Sequence, residues 1–405
     1  MASAPSVGRA FFPLDEELGL LPGRLTPLGH EQLVRVASWM PFEQAAALYG
    51  DLTGMEIHET MSRRYTERAG GADVEIEEEE VKRLETEPMP EAVGEEQKLQ
   101  VSVDGAMVPL VGGEWAEVKT VVVGVVQPAV EEQGEWVVHT RQKSYFSRLA
   151  TAEAFQRLAL AEMHRRGVDR AKAVGAVQDG AEWEQGFIDY HCPNAVRILD
   201  FPHAGEHLSQ VGQALYGEHT PQAQQWLSDR LHQLKQEGPA PILAELSQLA
   251  QQYPQTAEIE ANRSYLEKRQ SQLSYPQFRA QGWPIGSGIV ESGNKLVVEA
   301  RLKGSGMHWA RAHVNPMLAL RNILCSDRWK QEWPKMAARL HHPHSSASAP
   351  VMPVSIPSDR PAPPMPPQFR VPDTLDPNVL PPKKNSWRQF RVGRSLYHPE
   401  DYPKL

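Results

Sequence analysis

Leu99-Gln-Val-Ser-Val-Asp-Gly-Ala-Met-Val-Pro-Leu110 reads as a β-strand that carries a carboxylate, Asp104, within its apolar run. Downstream, Ala116 to Val126, with the β-branched stretch Val121-Val-Val-Gly-Val-Val126, is a second strand, and Glu135 to Arg141 a third. The connections are short and contain Gly112-Gly113 and Gly134, which favours an antiparallel meander. Ala152 to Arg166 is an amphipathic helix, with Phe155, Leu158, Ala159 and Met163 at helical spacing. Ala171 to Gln178 is again a strand, closed by Asp179-Gly180. Glu182 to Tyr190 is a short helix, and Ala195 to Asp200 a last strand.

The order β-β-β-α-β-α-β predicts an α/β fold: a ribonuclease-H-like mixed sheet flanked by helices. The first part of that core spans 99–206. From 207 to 282 the pattern is helical and rich in Gln, with Leu227, Leu231 and Leu234 on one face and Leu243, Leu246 and Leu249 on another, so a helical insertion is expected. The core resumes at 283–340 with a helix and a basic C-terminal part. Upstream, 1–71 reads as a small all-α unit. Leu28 to Met40 and Pro41 to Gly50 are two helices, Leu52-Thr-Gly-Met55 a turn, and Glu56 to Arg68 a third helix. A short Gly-containing turn before a helix bearing Arg63, Arg64 and Arg68 is helix-turn-helix geometry and makes those arginines candidates for DNA contact, although any three-helix bundle shares the pattern.

At 405 residues the chain is long enough for two or three units. No apolar run approaches a membrane span, and the N-terminus has no signal-peptide pattern. The two cysteines, Cys192 and Cys325, support neither a disulfide framework nor a zinc cluster, and a cytoplasmic, nucleoid-associated protein is expected. The net charge of −9 runs against nucleic-acid binding until its distribution is considered. Asp73 to Glu96 holds eleven acids against two bases, whereas Glu291 to Leu340 holds nine bases against four acids. Local basic surface is what attracts phosphate. The acidic segment, 72–98, reads as a solvated linker or, more sharply, as a nucleic-acid mimic over a basic groove. Fifteen of the 34 prolines fall between Pro343 and Pro403, so 341–405 reads as a disordered tail. Within it, Lys383-Lys-Asn-Ser-Trp-Arg-Gln-Phe-Arg391 interleaves basic and aromatic residues.

Asp104 and Asp179 at two strand ends, with Glu291 just behind Gly286-Ser-Gly-Ile-Val290, are a minimal carboxylate set for two magnesium (or manganese) ions in phosphodiester cleavage. Asp104 is the candidate bridging ligand, and Glu299 the substitute for the third acid. Each has a plainer reading: Asp-Gly is a common turn dipeptide, and Glu291 suits a helix first turn. Lys295, one turn from Glu291, faces a phosphate or an ion pair. Asp200-Phe-Pro-His203 ends the last strand and puts His203 within reach of the site, as a proton shuttle or a phosphate donor. Arg301 and Lys303 suit phosphate contacts, and Trp309 suits base stacking or core packing.

These residues resemble a known family. Pro284-Ile-Gly-Ser-Gly-Ile-Val-Glu-Ser-Gly-Asn-Lys-Leu-Val-Val-Glu-Ala-Arg-Leu-Lys-Gly-Ser-Gly-Met-His-Trp309 looks like the C-terminal catalytic signature of ISKra-type insertion-sequence transposases. Val101-Ser-Val-Asp-Gly105, Gln178-Asp-Gly180 and Ile198-Leu-Asp-Phe-Pro-His-Ala-Gly-Glu-His207 are similar to its other blocks, and Asp200-x-x-His203 matches the acid-x-x-His motif of Mutator-like DDE transposases. The likeness runs from Phe42 to Trp329 and recurs at Trp387-Arg388. It implies a magnesium-dependent DDE transposase with a helical insertion between its second and third acids. Such an enzyme binds its terminal inverted repeats through the N-terminal helices, and target DNA as a homodimer or higher oligomer. Some relatives carry upstream cysteine pairs; this chain has none, so no N-terminal zinc module is expected. Two other readings stay open: a nuclease of the same fold that never joins ends, and a non-catalytic DNA-binding regulator.

Overall fold

The structure is a computed structural model that describes residues 20–21, 23–87, 97–132 and 134–341. Strands β1 (Lys98–Pro109), β2 (Trp115–Val126), β3 (Val130–Glu132), β4 (Glu135–Val137), β5 (Thr140–Arg148), β6 (Ala173–Gln178) and β7 (Val196–Leu199) form two sheets. The main sheet has the order β5-β2-β1-β6-β7, with β1-β2-β5 antiparallel and β6 and β7 parallel to β1. β1 is therefore central, and a polar residue on it is placed among neighbours from both sides. The chain is α/β with a mixed sheet, as expected. One strand differs: Glu135–Val137 pairs with Val130–Glu132 as a side hairpin, and the third core strand is Thr140–Arg148. The strand ends on a buried cation that the acidic helix described below satisfies, a pairing no local pattern reveals.

Alternation on β1 separates two layers. Leu99, Val101 and Val103 point into a core built with Phe155, Met163, Phe187 and Ile188. Gln100, Ser102 and Asp104 take the opposite face. Phe155 lies on α4 (Ala152–Leu158 in chain order after three N-terminal helices), which is followed by α5 (Leu160–Arg165) and leads into β6. The crossover to β7 is α6 (Glu182–His191). After β7 come α7 (Phe201–Tyr216), α8 (Pro221–Glu237), α9 (Pro239–Gln252), α10 (Ala257–Lys268) and α11 (Tyr275–Ala280), the expected helical stretch. Leu208, Val211, Trp226, Leu234 and Leu246 from these helices share one core with Val177, Ile198 and Leu199 of the sheet. The insertion is therefore packed on the sheet edge through side chains that cost about 2–5 kcal/mol each to truncate.

The N-terminal helices are α1 (Pro27–Trp39), α2 (Phe42–Thr53) and α3 (Glu59–Thr86). Thr26 Oγ1 accepts from Gly29 N at 3.1 Å to start α1, and Gly54, at φ 72°, ends α2. α3 does not stop near Arg68. The helix is 28 residues long in all, so the acidic run as far as Thr86 is helix and not linker. Its acids have partners: Glu77 with Arg148, Glu80 with Arg165, Glu85 with Arg157, and Glu75 and Glu79 with Arg339. Residues 88–96 and the Pro-rich 342–405, with the basic–aromatic patch at Lys383, lie outside the described residues. Leu33, Val34, Tyr49 and Tyr65 share a core with Leu320, Ile323, Trp329, Trp333 and Met336 of α13 (Arg311–Cys325) and α14 (Trp329–His341). The N-terminal helices are thus built into the same body as the C-terminal ones.

His30 in that core is 3% exposed, stacks on Tyr65 at 4.5 Å and leaves Nε2 without a hydrogen-bond partner. Burial, helped by the charge of Arg68, holds its imidazole down at about 4. An unfolded His titrates near 6.5, so as pH falls the unfolded chain takes the proton first. The contribution of His30 to stability is complete above about pH 6.5 and is lost as pH drops toward 4. Urea unfolding of His30→Phe, which keeps the stack, should lose less stability between pH 7 and 4.5 than the parent, by on the order of 2 kcal/mol. Parallel pH profiles would refute this.

Candidate active site

Parallel pairing of β1 with β6 runs to Val101 opposite Ala176. Asp104 stands three residues beyond that pair on β1, and Asp179 three residues beyond it in the other chain segment, one position past the end of β6. Gly105 N donates to Asp104 Oδ1 at 2.6 Å, and Asn294 Nδ2 donates to Oδ2 at 2.8 Å. Asn294 follows α12 (Gly288–Gly293), the short helix that carries Glu291. The helix lies against the sheet because Gly293 has no side chain: a Cβ there would be 2.8 Å from Val122 Cγ2. Asn294–Glu299 then makes a π-helical turn.

The acids sense one another. Burial raises Asp104, with Glu291 and Glu117 adding to it against the two hydrogen bonds. Burial and the charges of Asp200, Asp104, Glu206 and Glu291 push Asp179 up to about 7. Glu184, 3% exposed at the head of α6, is driven up to about 8 by burial and then by Asp179 and Asp104, although its Oε2 accepts from Gly180 N and Ala181 N. Sequence reasoning missed Glu184. The signal was an acid reaching back from the third position of a helix to the turn before it. It also missed Asn294, whose cue was its place one helical turn after Glu291. Among the described residues, no three His, Cys, Asp or Glu side chains are gathered tightly enough in this conformation to enclose one cation.

Asp200 has a different job from the one its motif suggested. It is 3% exposed, its Oδ2 accepts from His203 N at 3.0 Å to cap α7, and its Oδ1 accepts from Ser287 N at 2.6 Å. Both oxygens are taken by backbone, so Asp200 anchors the loop that delivers Glu291. Asp200→Ala should strand two buried amides at a cost of about 3 kcal/mol, read by chemical denaturation. Asp200→Asn, which keeps one acceptor, should recover part of it, and an unchanged midpoint in both variants would sink this role.

His203 shares Tyr265 with the Asp179 backbone. Its Nδ1 is 3.5 Å from Glu206 and its Nε2 is 3.3 Å from Tyr265 Oη. Tyr265 also donates to Asp179 O, while Arg269 stacks on its ring at 3.7 Å and donates to Gly180 O at 2.6 Å. The insertion thus closes one side of the site through α10 and its end.

The candidate DNA contacts divide. Arg63, Arg64 and Arg68 are exposed along α3, and Lys295 is exposed one turn after Glu291. Lys303 is half-buried and donates to Glu299 at 2.7 Å. Arg301 and Trp309 are interior, at 2% and 5% exposed, which corrects the phosphate contact expected of Arg301 and decides for core packing over base stacking at Trp309. Arg301 Nε donates to Ala37 O at 3.1 Å, with the guanidinium 4.6 Å from the Phe42 ring and 5.1 Å from that of Trp309. Trp309 Nε1 donates to Leu302 O at 3.2 Å, and its backbone pairs with Pro109 and Val111. Both residues hold α12 and its extension to the N-terminal helices. Among the described residues no helix is long and apolar enough to cross a membrane. Compared with protein-family models and with curated proteins, the chain matches neither.

Proposed function

We propose that this chain is a DDE transposase: it cleaves phosphodiester bonds at the ends of a DNA element and joins the freed 3′ ends to target DNA. The observation that carries the reading is the placement of Asp104 on the central strand and Asp179 just past its parallel neighbour, with Asn294, three residues after Glu291, donating to Asp104 Oδ2 at 2.8 Å. The strand order β5-β2-β1-β6-β7, antiparallel on one side of β1 and parallel on the other, supports a ribonuclease-H-like core.

Two magnesium or manganese ions suit this donor set. Its ligands are carboxylate oxygens, the preferred donors of such ions. Their mutual repulsion is what a divalent cation offsets. Beside Asp104, Asn294 Oδ1 is buried without a hydrogen-bond partner. Asp104, Asp179 and Glu291 would hold the ions. Bound there, they supply Lewis-acid charge at the attacking and leaving oxygens. The protein's own groups do the rest. Asp200 keeps the Glu291 loop in place. His203 stands beside the Asp179 loop with Nε2 against Tyr265, so Nδ1, now 3.5 Å from Glu206, is the ring nitrogen that would turn to a phosphate oxygen, and Lys295 meets the flanking phosphate. Arg63, Arg64 and Arg68 contact the terminal inverted repeats.

The test is strand transfer in purified form. Duplex ends with recessed 3′ hydroxyls, taken from paired inverted repeats around the coding region, are mixed with plasmid and magnesium. Joined products support a transposase. Hydrolysis without joining favours a nuclease of the same fold, and binding with no metal-dependent cutting leaves only a regulator.

A further inference from the structure

Beside the acidic cluster, along the loop that Asp200 anchors, lies a groove of about 820 Å³. The β3–β4 hairpin and the start of β5 form one wall, with Trp136 and Lys143; Lys235 of α8 and Arg279 of α11 stand on the other. Gly286, Gly288 and Ile289, which lead into and begin α12, also line it, so the groove opens onto the segment that presents Glu291. No Asp or Glu is among its lining residues. On the hairpin, Glu131 is the cross-strand partner of Trp136, and Glu132 is engaged by His139 Nε2 at 2.7 Å.

Two features point to the occupant. Trp136 is 63% exposed, on a two-stranded hairpin where its ring closes no core. Cations stand on both walls around it. An exposed aromatic face among cationic side chains is what a single nucleic-acid strand requires: bases stack on the ring and phosphates meet the charges. A duplex has its bases stacked internally and offers the ring nothing. The groove's size matches clefts that hold small molecules or a few linked units of a chain, and not a double helix.

We infer that this groove takes single-stranded DNA, the strand that leaves the acidic cluster once the duplex is opened there, with a base stacked on Trp136 and phosphates on Lys143 and Arg279. The strand's role rests on the transposase reading; its binding does not.

The experiment uses the full chain in EDTA, where no cleavage can occur, and fluorescence anisotropy of an end-labelled oligothymidylate of about 15 nucleotides. Trp136→Ala should weaken binding roughly tenfold. Lys143→Glu with Arg279→Glu should weaken it at least as much and flatten its salt dependence. Trp115→Ala removes a ring of similar exposure, 59%, at the start of β2 and should change nothing. An oligonucleotide carrying 5-iododeoxyuridine should photocrosslink to Trp136. Parental affinity in both groove variants, crosslinks confined to other regions, or equal competition by duplex or by oligouridylate would overturn the inference. Because the assay needs neither metal nor the acids, its failure leaves the cleavage reading standing, and failure of cleavage leaves this one standing.

Discussion

Asp104→Asn should lower DNA cleavage and joining by roughly a thousandfold while the protein stays folded and bound to DNA ends. The substitution is nearly isosteric, and its local hydrogen bonds survive. The new amide oxygen still accepts from Gly105 N, as Asp104 Oδ1 does at 2.6 Å. Asn294 now donates to Oδ2 at 2.8 Å and has an unpartnered Oδ1; turning its amide over lets that oxygen accept the new N–H. What disappears is one negative charge at the centre of the sheet, a ligand in the proposed site. Several kilocalories per mole of transition-state stabilisation are at stake in such a site, which is the source of the thousandfold figure. Glu291→Gln should behave alike. Glu299→Gln should not, because Glu299 is engaged by Lys303 at 2.7 Å. The measurement is the single-turnover rate on labelled ends in magnesium, with thermal unfolding as the control. An undiminished rate in Asp104→Asn would remove the residue from the chemistry.

The second large effect is on stability. Gly70→Val should destabilise the whole described body by about 3 kcal/mol and lower its melting temperature by roughly 6 °C. α3 crosses α13 at Gly70, and a Cβ there would overlap the Pro316 carbonyl, a backbone atom that cannot swing aside. The same helix reaches on to the sheet, where Glu77 meets Arg148 at the end of β5. The strain should therefore appear in a single cooperative transition followed by far-UV circular dichroism and tryptophan fluorescence together. Two separated transitions, with the sheet melting as before, would mean that the N-terminal helices are an independent unit.

Much of the core was legible because its signals are local. The runs Leu99 to Leu110 and Ala116 to Val126 are long, β-branched and bounded by glycines, and the structure has strands at 98–109 and 115–126. Asp104, Asp179 and Glu291 stood out in the sequence because the first interrupts an apolar run, the second ends one and the third follows one. What the sequence hid depends on partners far along the chain. Glu75 to Glu80 look solvated in isolation. Their helical state rests on Arg148, Arg165 and Arg339, more than 65 residues away. Arg301 and Trp309 look like surface groups in a basic, glycine-bearing segment. They are interior because Ala37 and Phe42, far upstream, supply a carbonyl and a ring. Asp200 looked catalytic from its spacing to His203, yet that spacing is also an N-cap. Only the amide of Ser287, 87 positions later, reveals the second bond.

The π-helical turn after α12 leaves carbonyls that need donors, and Arg321 of α13 supplies them: it donates to Leu296 O, to Val297 O at 3.3 Å and to Ser38 O at 3.1 Å, under the Trp39 ring. With Arg301 it forms a clamp whose cations are answered by peptide oxygens and aromatic faces, not by carboxylates. Dissolved electrolyte weakens pairs of exposed opposite charges and does little to contacts shielded from it. Concentrated brine therefore leaves the seam between the leading helices and the Glu291 segment closed, and the molecule can be purified in high salt without coming apart.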